Sequence, residues 1–280
     1  MVKYNLKLVD SKNIYGTMNS GTIKLSNITN DDKDMLLYKN DLRPSELDTY
    51  QFTKSDKSMI FANHRRSFAE ANGFDWRKMF MADQKTKDGS YFEITKDYVE
   101  ANPNGWTDID EDILIITDKV PGVVVGHPVA DCPVVVMEDR SKGVTAVAHC
   151  SADLIDKKMP MMVADALKEA YNSKDEDIIA YVSACAGDSW TYDTYPSWAT
   201  DKKLWDKGII EDKNGIFHIN LRKAIQEEMR ERNIQNVTYN KNDTITNPEY
   251  YSNSAASPYG LNDQSKFGRN FCGAFYKVKK

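Results

Sequence analysis

The chain has 280 residues, 41% of them hydrophobic and 28% charged, with 15 tyrosines and 10 phenylalanines. That profile supplies ample apolar material for a core and excludes a disordered or fibrous protein. Basic side chains number 37 against 42 acidic ones, a formal charge of −5, so no global positive field draws the chain to nucleic acid or anionic lipid.

Met1 to Asn13 alternate polar and apolar residues without the apolar run of a signal peptide, and no later stretch approaches the ~20 apolar residues that cross a bilayer. The four cysteines, Cys132, Cys150, Cys185 and Cys272, are too few and too scattered for a disulfide scaffold and include no CxxC pair. The expectation is a cytoplasmic protein with reduced thiols that acts on a small molecule, with no nucleic-acid or membrane partner.

In chain order, residues 1 to 57 are polar, with short alternating stretches at Tyr4 to Val9 and Thr22 to Leu25 that read as exposed or edge strands. Ser58 to Asn72 has helical composition, and Asn72-Gly73 supplies a stop. Four β-branched runs follow: Ile113 to Ile116, Val123 to Val125, Val134 to Met137 and Val144 to Ala148. They are separated by Gly, Pro and Asp and read as buried strands. Pro160 opens a helix through MPMMVADALKEAYNS, where a first-turn proline is tolerated because its missing N–H would have no helical partner. A strand at Ile178 to Val182 comes next, then a strand at Ile216 to Ile219, a helix at Leu221 to Arg232, a strand at Val237 to Tyr239 and a closing strand at Phe271 to Val278. Thr246 to Lys266 reads as a long Ser/Asn/Pro-rich loop beside a site. No repeat or composition break divides the chain, so one α/β domain over residues 1 to 280 is expected.

The runs PVVVM and GVTAVAH flank Glu138 to Gly143, a polar segment of hairpin-loop length. With Met137 opposite Val144, a regular ladder sets Cys132 opposite His149, their Cβ atoms ~4.5–5.5 Å apart. A sulfur and an imidazole so placed suit a shared metal ion or a nucleophile and its base. Asp131 and Asp153 are candidates to orient the histidine. The plainer alternative is a small core cysteine and a hydrogen-bonded structural histidine.

Thr117 to His149, with Ala130-Asp131-Cys132-Pro133 and then Ala148-His149, resembles the YfiH-type family, also called laccase-domain or multicopper polyphenol oxidase proteins. Weaker likenesses are Asn63 to Arg66, Glu249-Tyr250-Tyr251-Ser252 and Gly268-Arg269. The resemblance implies a layered α-β-β-α sandwich shared with the cysteine hydrolase domain of cytotoxic necrotising toxins. It also implies zinc held by Cys132 and His149, and a purine nucleoside phosphorylase-like activity with adenosine deaminase side activity. On that footing Tyr250, Tyr251 and Arg269 are candidate substrate-binding residues, the tyrosines by stacking on a base.

The chain departs from the family pattern. Asp83-Gln84-Lys85-Thr86-Lys87 stands where the family has a Gln-Val-His-Gly motif with its first zinc histidine, and Cys150 to Leu154 stands where it has Ala-Gly-Trp-Arg-Gly. Zinc needs three protein ligands for catalysis or four for structure. His127 could supply a further one only if Gly126 or Pro128 breaks the strand, since its odd offset from Cys132 sends it to the opposite face. His64 is a more distant substitute. Three functions follow: a zinc-dependent enzyme of nucleoside phosphorolysis or deamination, a metal-free Cys132–His149 hydrolase or deamidase, and a non-catalytic relative that binds a small molecule or a protein.

Overall fold

The computed structural model describes residues 6–12, 22–24, 35–38, 75–82, 84–103, 109–257, 261 and 270–276. The helix expected over 58 to 72, with His64, and the candidate residue Arg269 lie outside them.

The chain runs through strands β1 (Leu6–Lys12), β2 (Thr22–Lys24), β3 (Met35–Tyr38), β4 (Met79–Met81) and β5 (Tyr91–Glu93), then helix α1 (Lys96–Ala101). Next come β6 (Ile113–Thr117), β7 (Val124–Val129), β8 (Val134–Asp139) and β9 (Val144–His149), then helices α2 (Ala152–Asp156) and α3 (Met159–Tyr171). After β10 (Ile178–Val182) follow β11 (Trp190–Tyr192), α4 (Lys202–Trp205), β12 (Ile210–Lys213), β13 (Ile216–Ile219) and α5 (Leu221–Glu231). The last elements are β14 (Asn236–Tyr239), α6 (Asn253–Ala256) and β15 (Asn270–Tyr276). The segment expected as an open loop from Thr246 thus holds α6, whose first turn is capped by Ser252 Oγ accepting from Ala255 N.

Two six-stranded sheets form the body, ordered β2-β3-β1-β15-β7-β4 and β14-β10-β8-β9-β6-β5, and β11-β13-β12 make a third, small sheet. Alternate residues of the second sheet face two different layers. Leu114, Ile116, Val134, Val136 and Val147 meet Phe80, Val125, Val129, Cys272 and Ala274 of the first sheet. Ile113, Ile115, Val135, Met137, Ala146 and Ala148 meet Val163, Leu167, Leu221, Ile225 and Met229 of α3 and α5. Burial on both faces explains why β6, β8 and β9 are continuous apolar runs and not alternating ones. Each such Val, Leu or Ile contributes about 1.5–3 kcal/mol. Helices, sheet and sheet are three of the four layers that the resemblance implies.

Gly126 on β7 and Gly273 on β15 lie opposite each other in their antiparallel ladder. A Cβ on Gly126 would come within 2.7 Å of the Gly273 Cα, so only glycine permits this approach. The next residue along β7 is His127.

Candidate functional site

The β8–β9 hairpin corrects the expected register. Asp139, not Met137, lies opposite Val144, and Val134 lies opposite His149. The turn is only Arg140 to Gly143, because the Asp139 carboxylate ends the strand by accepting from Ser141 N (3.0 Å), Ser141 Oγ (2.6 Å) and Lys142 N (3.3 Å). Gly143 closes the turn at φ +63°, where an added Cβ would strike the Asp118 carboxyl. A shift of two residues preserves facing, since side chains alternate with period two. Cys132 is therefore a diagonal and not a direct partner of His149; the ladder persists as far as the bond from Cys150 N to Pro133 O (2.8 Å).

Cys132 is the one cysteine of the four that is not buried, and His149 is likewise half-buried. Cys150 faces the helix layer, fully buried, and desolvation pushes its thiol well above the ordinary range.

His149 is held by a residue the sequence reading passed over as part of a lost motif. Gln84 Oε1 lies 2.6 Å from His149 Nδ1, and Gln84 Nε2 donates to the His149 carbonyl (2.9 Å) and the Asp112 carbonyl (3.3 Å). No periodicity or spacing signal picks out such a glutamine; its role comes from a contact made across 65 residues. Neither aspartate orients the histidine as expected. Asp131 is buried at φ +78°, and its carboxylate accepts from Thr244 Oγ1 (2.7 Å) and Ser254 N (2.6 Å) while its carbonyl accepts from Ala186 N (2.7 Å). It ties three loops to the head of β8, one residue from Cys132. Asp153 instead accepts a short hydrogen bond from Ser151 Oγ and lies 4.0 Å from Lys87 Nζ.

His127 does approach the site, for a reason the single-strand offset could not contain. It sits on β7 in the opposite sheet, in line with Val125 and Val129, so it points into the same inter-sheet layer as His149. The two rings are 6.2 Å apart between centroids. Burial, with a smaller contribution from the charge of His149, drives the His127 pKa down to about 3, against the pull of a backbone hydrogen bond with Val147. His127 is thus a neutral imidazole, and its Nε2 has no hydrogen-bond partner among the described residues.

The expected stacking tyrosines are a second correction. Tyr250 and Tyr251 are 0% and 1% exposed, so neither offers a face to a ligand. Asn240 and Asn242 donate to the Tyr250 hydroxyl, and Asn270 clamps the Tyr251 backbone from both sides. Among the described residues, no three His, Cys, Asp or Glu side chains are grouped so as to hold a metal ion. Among the described residues the zinc set implied by the resemblance is incomplete.

Two facing sheets backed by helices, with a half-buried thiol and imidazole at one end of adjoining strands, make this a layered α/β protein. The family model described as multi-copper polyphenol oxidoreductase laccase matches residues 46–271, and the chain belongs to that family, the YfiH type. The structure is similar to the hypothetical protein YfiH of Bacillus licheniformis, with a TM-score of 0.64, 19% identity, and coverage of 78% of this chain and 82% of that one. YlmD from Geobacillus stearothermophilus gives 0.62 at 15% identity, covering 79% and 81%. A Neisseria meningitidis protein of the DUF152 family model gives 0.57 at 13%, covering 79% and 82%. No curated protein matches the sequence.

Proposed function

We propose that Cys132 and His149 form a metal-independent nucleophilic centre that transfers an acyl group from a small amide to water. The observation that carries this reading is the placement of the one cysteine that is not buried, at the head of β8, beside a half-buried histidine at the tail of β9. The Cys132 thiol gives its proton to His149 as its sulfur bonds the substrate carbonyl carbon. The imidazolium returns that proton to the departing amine, and the same imidazole then takes a proton from the water that cleaves the thioester and gives it to the departing Cys132 sulfur, releasing the acid and restoring the thiol. The absence of a three-ligand group among the described residues favours this reading over a metal enzyme.

The test is alkylation of the intact protein with iodoacetamide, located by peptide mass. Cys132 reacts fast and loses that advantage in His149→Ala; a Cys132 as slow as a free peptide thiol overturns the reading. Metal analysis accompanies it, and substoichiometric zinc is the expected result.

A second reading is favoured by family membership and by His127, whose buried Nε2, with no hydrogen-bond partner among the described residues, belongs to a ring 6.2 Å, centroid to centroid, from that of His149. It is the purine nucleoside activity that the YfiH resemblance implies. One zinc per chain, lost in Cys132→Ser, together with turnover of adenosine or inosine, establishes it in place of the first.

A further inference from the structure

We infer that Gln84 is the positioning residue of this centre, holding His149 in the single neutral tautomer that has its proton on Nδ1 and an unprotonated Nε2. The inference rests on the reading of Cys132 and His149 as a reactive pair, and it adds the third member that the sequence assigned to an aspartate.

A side-chain amide has a donating end and an accepting end, and the surroundings decide which is which. One end of Gln84 meets two carbonyl oxygens, those of His149 (2.9 Å) and Asp112 (3.3 Å). Carbonyls only accept, so that end is the NH2. The oxygen is then the end that stands 2.6 Å from His149 Nδ1. An oxygen acceptor at that distance requires a proton on Nδ1, and a neutral imidazole has only one. Nε2 is left as the basic nitrogen, the atom that takes the thiol proton.

The residue type is specific to this geometry. Glutamate would press a second oxygen against the two carbonyls, and asparagine is one methylene short. The loop is built to hold the side chain in place. Gln84 is 9% exposed and adopts φ +53°, a left-handed conformation uncommon outside glycine. Lys85 N and Thr86 N donate to the Asp110 carbonyl, and the backbone of Lys87, Asp88 and Gly89 donates to the Asp112 carboxylate. Asp112 therefore gathers the loop with its side chain while its carbonyl orients the glutamine.

The experiment uses the full chain with 15N-labelled histidine, at a pH where His149 is neutral. Long-range 15N–1H correlation spectra read the ring tautomer, with His149→Ala to assign the signals. The wild type shows His149 protonated on Nδ1. In Gln84→Met, which keeps the side-chain length and removes both polar ends, the ring shifts toward the Nε2–H form and Cys132 alkylation slows by about 10- to 100-fold. Gln84→Glu, which keeps the acceptor, recovers the Nδ1–H tautomer and part of the rate. A purely structural glutamine would leave the tautomer untouched in every folded variant. His149 protonated on Nε2 in the wild type, or an unchanged tautomer in Gln84→Met, overturns the inference. If the tautomer responds as expected but wild-type Cys132 is no faster than a free thiol, Gln84 stands as the orienting residue and the hydrolase reading falls.

Discussion

The second sheet handles buried polarity differently on its two faces. Toward the first sheet, Thr145 and the Tyr276 hydroxyl are 2.8 Å apart and His149 is gripped by Gln84 at ring and carbonyl, with His127 Nε2 left without a hydrogen-bond partner among the described residues. Under α3 and α5, the Glu228 carboxylate is 1% exposed and neither oxygen has a hydrogen-bond partner among the described residues. Lys158 Nζ stands 3.5 Å from it, at ion-pair range. Desolvation, against the opposing pull of Lys158, raises the Glu228 pKa to about 8. A face whose polar groups converge near solvent is equipped for chemistry, whereas a desolvated carboxylate whose cation stands 3.5 Å away is a cost to stability.

The largest effect expected from disturbing this contrast is on reactivity. His149→Ala slows Cys132 alkylation by about 10²–10⁴-fold, the range for loss of a general base, while Cys150 stays unreactive in the native protein. Labelling of Cys150 at a rate near that of Cys132 would erase the distinction between the faces.

The next effect concerns the helix side. Glu228 titrates near 4.5 when unfolded and near 8 when folded. Between those values the unfolded chain has already lost the proton that the folded chain retains. Stability is therefore complete below about pH 4.5, declines as pH rises, and levels off above about 8. The decline amounts to roughly 3–5 kcal/mol. Urea melts from pH 4 to 9 should show it in the wild type and not in Glu228→Gln, and equal slopes in both would refute the assignment.

A smaller effect tests the backbone that aims His127. Gly126→Ala forces β7 from β15 and costs about 1–3 kcal/mol, the range for overpacking, read as a lowered denaturation midpoint. The smallest is at the hairpin: Asp139→Ala removes the acceptor of the turn and costs about 1 kcal/mol. Cysteine alkylation should stay close to the wild-type rate if the paired strands alone hold the register.

Much of the frame was legible because its signals are local. Ile178–Val182 and Ile216–Ile219 have the expected bounds, and the helices expected at Pro160 and Leu221 begin at Met159 and Leu221, the second capped by Asn220, whose side chain accepts from Lys223 N. The strands β3, β4, β5, β11 and β12 were missed; each has only three or four residues, too few for alternation to show. The tyrosine pair was misread because burial depends on what covers a residue and not on its type.

The chain's own pattern determined the buried strands, the two main helices and the parity that sets Cys132 and His149 on one face, since alternation survives an even shift of register. Tertiary structure alone decided the rest. A carboxylate at Asp139 set the length of the hairpin, a second sheet brought His127 to the same layer, and Gln84 reached His149 from 65 residues away. Contacts between distant segments depend on how layers close over one another, and no period along the chain encodes that closure.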